Sequence, residues 1–375
     1  MVAHRTHIRI PATRVLLAML ILITPICILG LFAVSQANRA AEETVGAHFQ
    51  SIAAGTASEI AAFVHDRVMD VGLLARDDSV IEAAQKGNAR YGGLKEEQIG
   101  QAIQKIEAGW NTPAAEPVAN AILNSPASRV ARRHRDFDRR YLRITVTDAR
   151  GATVAATHKT LDYYQADEDF WQKIYAGGRG GVNVTDVLYD EVTKAHYIGI
   201  GVPIQDEKSN AFLGAVDALV DVSALFAVTQ RTPFGPTARL LLVKDDGTII
   251  ASPGVTRPLT SKSEDYSAIA EAHGGRPPSS GFLVAHSGSA RHLVGFASTE
   301  LKQDYGNPQW YVISAQSADE AFAPLRPIVR LLLLISILGL ASVTLFGVYV
   351  YLHQRLPYEH LGRLAGPPSA KPAHP

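Results

Sequence analysis

The sequence predicts an α+β fold: a long N-terminal helix laid along two tandem antiparallel-sheet modules, with an apolar helix at each end of the chain. Three observations predict it. Two uncharged apolar runs lie near the termini, an apolar stripe of period near 3.6 follows the first run, and from Tyr141 the period changes to two.

Residues 15–34, VLLAMLILITPICILGLFAV, are long enough to cross a bilayer as a helix. His4, Arg5, His7, Arg9 and Arg14 precede them, the basic flank expected on the cytoplasmic side. Ser35-Gln36-Ala37 also fits a small-residue cleavage site, but the apolar stretch exceeds a usual signal core, which favours an uncleaved anchor. A second run, LLLLISILGLASVTLFGVYVYL at 331–352, lies in a predicted span over 328–352 and is followed by His353, Arg355, His360 and Arg363. Two spans leave 1–14 and 353–375 in the cytoplasm and 35–327 outside it, although Arg326 and Arg330 work against the charge asymmetry. The single cysteine, Cys27, lies inside the first span, so a hydrophobic core rather than disulfides must hold the outer region.

After the first span, Val45, Phe49, Ile52, Ile60, Val64, Val68, Val71 and Leu74 recur at steps of three, four or their sums. This predicts a helix over 36–76 packed against a domain, not a strict-heptad coiled coil. A second helical segment covers 94–108, and Asn111, Pro113 and Pro117 break it. LRITVTDARGATVAAT (142–157) reads as strand, turn, strand, and RLLLVKDDGTIIAS (239–252) repeats the pattern. Further strands follow each copy, at 182–190, 196–204 and 213–222, then at 280–287, 291–298 and 309–316. The repeat predicts two related modules, about 77–229 and 230–325.

This order of elements resembles the double Cache family of extracytoplasmic sensor domains, in which a long helix supports a membrane-distal and a membrane-proximal PAS-like module. DYYQADEDFWQ, NVTDVLYDE and LGAVDALVDVS are similar to the family's distal-module signature, and the resemblance covers about residues 36–325. It implies a sensor in a bacterial inner membrane, with its large domain in the periplasm or extracellular space. It also implies a small-molecule ligand in the distal module and a homodimer. Such sensors usually continue into a HAMP segment and an output domain. Here RLPYEHLGRL is similar to the opening of a HAMP segment, and the Pro-, Ala- and Gly-rich residues after it cannot pack a core. The expectation is that the output belongs to a separate membrane-bound kinase, cyclase or chemotaxis protein, or else that the chain is a remnant or a ligand-binding module that signals by contact. The alternative is an interaction protein that docks on another receptor without sensing.

The stretch LDYYQADEDFWQKIY (161–175) gathers aromatics and acids. Asp167 is expected to cap a helix over 168–176, with Glu168 and Asp169 in its first turn and Gly177-Gly178 ending it. Phe170 and Ile174 share one face of that helix, and Trp171 and Tyr175 the next. Tyr163 and Tyr164, aromatic yet hydroxylated, suit a pocket lid. In 196–204, Ile198, Ile200, Val202 and Ile204 form a core face, while Tyr197 beside Gly199 and Gly201 leaves room for a ligand. Asp221 is expected to cap a linker helix. Asp217 has no such role: a carboxylate inside an apolar strand must be exposed, internally bonded or awaiting a cation. On the third strand Tyr189 shares its parity with Asn183 and Thr185 and is preferred over Asp186, which stays open. The resemblance implies that Asp217 matches the acid holding a ligand ammonium, with Trp171 and Tyr189 as flanking aromatics. The family's carboxylate-binding arginine position is Glu168 here, or Asp169 when counted from Tyr164. Without that guanidinium the expectation moves from an amino acid toward an amine-like cation, with an apolar or neutral ligand, or none, still open. The candidate ligand-binding residues are Tyr163, Tyr164, Asp169, Trp171, Tyr189, Tyr197 and Asp217.

Other classes are disfavoured. Formal net charge is zero, which gives no attraction to nucleic acid. No nucleophile elbow, zinc-protease helix or phosphate-binding glycine loop is present, so neither an enzyme nor a cofactor is expected. The thirteen histidines are scattered without ligand spacing, so no metal is expected. The run ARRHRDFDRR (131–140) reads as a solvated helix face.

Overall fold

The computed structural model describes residues 11–191, 193–230, 235–255, 257–287 and 290–353. The basic residues expected at 4–9 and the tail after His353 lie outside the described residues. The chain forms two compact units, one of Gly46–Ala321 and one drawn from both chain ends.

Helix α1 runs unbroken over Ala12–Ala75, so the predicted span and the predicted supporting helix are one element. In the Gly46–Ala321 unit its apolar stripe faces inward: Phe49, Ala53, Ala57, Ile60, Val64, Val68, Val71 and Leu74 are buried. Each fully buried aliphatic side chain there contributes roughly 1.5–3 kcal/mol. Four helices follow: α2 (Asp78–Ala89), α3 (Glu96–Gly109), α4 (Glu116–Leu123) and α5 (Pro126–Phe137). Pro117, expected to break a helix, instead lies in the first turn of α4, where a missing N–H costs nothing. Residues 131–137 of the basic run complete α5, but the run is not merely solvated. Asp138 accepts hydrogen bonds from Arg140 and Arg67, which hold its carboxyl down at about 2.

The first sheet contains β1 (Tyr141–Asp148), β2 (Thr153–Ala156), β3 (Asn183–Val184), β4 (Leu188–Asp190), β5 (Ala195–Gln205) and β6 (Phe212–Asp221), with α6 (Asp169–Tyr175) inserted after β2. Its order is β2-β1-β6-β5-β3, all antiparallel, with β4 also paired to β5. Helix α7 (Ser223–Thr229) leads to the second sheet; its cap is Val222 rather than the expected Asp221, which lies one residue earlier and accepts the Ser223 N–H at Oδ1 at 2.7 Å. The second sheet holds β7 (Arg239–Lys244), β8 (Ile249–Ala251), β9 (Ser280–Ser287), β10 (Ala290–Ser298) and β11 (Trp310–Ser317), in the order β8-β7-β11-β10-β9. Between its strands lie α8 (Glu264–Ala272), which the sequence reading missed, and α9 (Leu301–Tyr305). One continuous core joins α1 to both sheets through Ile144, Ile198, Ile200, Val216 and Val220 of the first, and Leu240, Leu242, Trp310 and Val312 of the second.

The helix–sheet contact is closest at Gly295 on β10, where an added Cβ would collide with the backbone of Phe49 and Gln50. Gly295→Ala is therefore expected to lose about 1–3 kcal/mol through overpacking, seen as a lower Tm. Gly55→Ala, on an exposed part of α1 with open space around it, should gain up to about 1 kcal/mol in the same melt.

In the unit of chain ends, α10 (Ala318–Ala321) having closed the domain, α11 (Arg326–His353) is the second apolar helix. Segments of α1 and α11 are each long and apolar enough to cross a membrane. Three of the hydroxyls inside them are satisfied within the helix. Thr24, Ser336 and Thr344 donate to the carbonyls of Leu20, Leu332 and Leu340 at 2.8–2.9 Å.

Candidate ligand-binding site

The face of the first sheet turned away from α1 is built by strand alternation. Arg143 and Thr145 on β1, Asp217 and Leu219 on β6, and Tyr197, Gly199 and Gly201 on β5 fall on one side. Over part of this face lies a cavity of about 450 Å³, within the range of small-molecule sites. Arg143, Asp217, Leu219, Tyr197 and Gly199 form its floor. Phe170, Asp169, Glu168 and Lys173 from α6 and the segment before it form one wall.

Helix α6 packs on this face beside the cavity. A Cβ at Gly201 would collide with Ile174 of α6, so that glycine makes room for packing, not for a ligand. Gly199 differs: a Cβ there would stand 3.3 Å from Thr185 Oγ1 and 3.8 Å from Asp217 Oδ1, inside the lining.

Asp217 is 7% exposed and pairs in register with Thr145 and Gly201. Its carboxylate accepts no hydrogen bond from any described residue. Burial pushes its pKa up to about 6, and the nearby Arg143 guanidinium pulls it partly back. Arg143 pairs with Leu219 and is thereby the diagonal cross-strand neighbour of Asp217, and its Nε is buried without a hydrogen-bond partner. Thr160 Oγ1, another lining residue, is likewise buried and unpartnered. The lining holds five acids, Asp162, Glu168, Asp169, Asp186 and Asp217, against two bases, Arg143 and Lys173. Asp162 and Glu168 both titrate high, first through burial and then through neighbouring carboxylates. An acid-rich cavity with one guanidinium on its floor can hold an ammonium group and, beside it, a carboxylate.

Of the seven residues singled out by sequence, Asp169, Tyr197 and Asp217 meet in this lining. Four do not, and each has a physical reason. Tyr163 is 1% exposed and packs on Trp110 at 5.3 Å between ring centroids. Glu107 of α3 accepts the backbone N–H of both Tyr163 and Tyr164, and Thr153 N–H donates to Tyr163 O. This pins the pair as an edge beside β2 rather than a lid, and Tyr164 lines a separate cavity with Ile99, Ile103 and Arg150. Trp171 turns under the helix: it is 3% exposed, donates Nε1–H to Thr147 Oγ1 at 2.9 Å and stacks on Tyr175. The helix starts one residue later than expected, with Glu168 in place of Asp167 at the cap. Tyr189 is 42% exposed and rests against His196. Residues 185–187 belong to no strand, so the parity carried over from Asn183 fails, and Thr185, Asp186 and Leu188 line the cavity instead.

Most of the lining escaped the sequence reading, Arg143 and Asn307 included. Arg143 was read only as part of the first strand of 142–157, and the β1–β6 register is what sets it on the same face as Asp217. Asn307, just after α9, comes from the second sheet's part of the chain and carries no local signal. Among the described residues no cluster of three or more His, Cys, Asp or Glu side chains is placed to hold a metal ion.

This architecture has known counterparts. The Cache domain family matches the chain over residues 37–325, and the chain belongs to that family. The ligand-binding domain of the Campylobacter jejuni chemoreceptor Tlp3, solved with 4-methylisoleucine, superposes with a TM-score of 0.50 at 14% identity, covering 75% of this chain and 94% of that one. The sensory domain of Tlp3 with isoleucine bound gives 0.50 at 15%, covering 76% and 96%. The ligand-binding domain of the Pseudomonas aeruginosa amino acid chemoreceptor PctB, in complex with L-Arg, gives 0.44 at 15%, covering 75% and 98%. No curated protein sequence matches significantly. Cache domains are ligand-sensing modules, and this chain carries one between two helices apolar enough for a membrane.

Proposed function

We propose that this chain is a two-pass bacterial inner-membrane sensor whose outer domain binds a small amine-bearing ligand, foremost an amino-acid zwitterion, over the first sheet. The observation that carries the reading is Asp217, a buried acid without a hydrogen-bond partner on the floor of a cavity of matching size. Its ammonium partner would come from the ligand, and Arg143 would take the ligand's carboxylate. This revises the expectation of a purely cationic amine, because a guanidinium does stand on the floor, contributed by β1 and not by the helix start. The Tlp3 domains of the same fold are solved with isoleucine and 4-methylisoleucine, ligands of the zwitterionic class proposed. Binding would act on α1 and α11 and so on a separate membrane-bound partner, and it can do so only if the ligand binds two conformations unequally.

The test follows thermal unfolding of the full chain in detergent micelles. The compounds are the twenty L-amino acids, primary amines without a carboxylate, and carboxylates without an amine. Ammonium-bearing compounds should stabilise by about 2.7 kcal/mol at a hundred times Kd, with amino acids ahead of plain amines. Carboxylates alone should do nothing, and stabilisation by carboxylates but not by amines would overturn the reading. The pH dependence has a definite sign. The ammonium prefers ionised Asp217, whose pKa in the empty site is about 6. Affinity should therefore be full above that value and fall roughly tenfold per unit below it.

A further inference from the structure

One wall of the cavity is tied to the second sheet. Asp186 lines the cavity, yet its carboxylate is held from the other side: Oδ1 accepts Trp310 Nε1–H at 2.8 Å, and Oδ2 lies 3.0 Å from Lys244 Nζ. Lys244 ends β7 and Trp310 begins β11, and the two are a facing pair of adjacent strands. A single carboxylate therefore gathers one end of the second sheet. Lys244 Nζ also donates to Val187 O at 3.1 Å, so both of its bonds go to the first sheet's segment 186–187. Asn307, three residues before β11 begins, adds a second piece of this region to the same lining.

On the cavity side the path to Asp217 is short. Thr185 Oγ1 accepts Gly199 N–H at 2.7 Å and donates to Asp186 O at 3.0 Å, and a Cβ at Gly199 would meet both Thr185 Oγ1 at 3.3 Å and Asp217 Oδ1 at 3.8 Å. An ammonium group at Asp217 thus has a second carboxylate within the same cavity, and that carboxylate already has a cation.

We propose that Asp186 is a positioning residue that reports occupancy of the cavity to the second sheet: an ammonium-bearing ligand competes with Lys244 for its carboxylate and loosens the junction with Lys244 and Trp310. The inference rests on the amine and amino-acid reading above. Coupling of this kind is reciprocal, so a junction that the ligand weakens must, when already broken, favour the ligand. Lys244→Met should then bind more tightly, by fivefold or more. A lysine that only braced the cavity would do the opposite, and its loss would weaken binding.

The experiment uses the full chain in micelles, with the twenty L-amino acids as probes, calorimetry for affinity and hydrogen exchange for the strands. In the wild type, the best-binding amino acid should speed amide exchange in Arg239–Lys244 and Trp310–Ser317. In Lys244→Met that acceleration should vanish while affinity rises. Lys244→Gln provides the same reading should the Met variant fold poorly, and Lys244→Arg should restore wild-type behaviour. Unchanged or weaker affinity in both neutral variants, or exchange acceleration that persists in them, overturns the inference alone. If no amino acid binds the wild type, the underlying reading falls and the inference with it.

Discussion

Asp217→Asn is expected to make the empty protein more stable and the ligand response disappear. In the folded chain the acid titrates at about 6, against 3.8 for the ordinary group. A raised pKa means that its ionised form is disfavoured by folding. The stability linked to this group is fully present below about pH 3.8 and lost as pH rises through about 6. A difference of about two units corresponds to roughly 3 kcal/mol at pH 7.5, which the neutral amide no longer forfeits. Ligand binding moves the other way, because the amide cannot pair with an ammonium. Truncating one partner of a buried charge pair typically costs 2–5 kcal/mol, so affinity should drop at least thirtyfold. Thermal melts with and without amino acid read both effects at once. A destabilised variant that still responds to ligand would contradict the assignment.

Trp110→Ala is expected to cost about 3–5 kcal/mol and to reach the ligand site only indirectly. Trp110 is 1% exposed, donates Nε1–H to Thr160 O at 2.9 Å and packs on Tyr163 among Ile99, Ile103, Ala119 and Ile122. Removing the indole opens a cavity and also leaves the Thr160 carbonyl unpaired. Because Thr160 and Leu161 line the ligand cavity, its rim should loosen as α3 and α4 lose their anchor. Denaturant unfolding of the full chain checks the magnitude. A loss below about 1 kcal/mol would mean that this cluster does not hold the helical layer.

The fold was legible where periodicity is strong. The stripe on α1 identified most of its buried face, since a helix facing a domain leaves a 3.6 pattern, although Val45 and Ile52 are only half-buried and the small Ala53 and Ala57 take the core positions between Phe49 and Ile60; the Asp148 and Asp245–Gly247 turns marked the two sheets. Asp217 was legible because an acid in an apolar strand has few physical explanations. What failed was phase and register. The α6 cap falls at Glu168 and not at Asp167, and on the helix that follows Trp171 is buried beneath it while its neighbours Phe170 and Lys173 line the cavity. The interruption at 185–187 reversed the parity between Tyr189 and its neighbours. Tyr163 was captured by Glu107, fifty-six residues earlier, and Arg143 reaches Asp217 only through a strand pairing that spans the module. Contacts of that length leave no pattern in a single sequence.

The direct test of the central claim is a proton count during binding. Calorimetric titration of the full chain at pH 6 with the best-binding amino acid, repeated in buffers of different ionisation enthalpy, gives the protons exchanged per ligand. An ammonium settling on a half-protonated Asp217 should release about half a proton, and Asp217→Asn should release none. Binding that takes up protons, or that leaves the count at zero in the wild type, would contradict the placement of the ligand on that carboxylate.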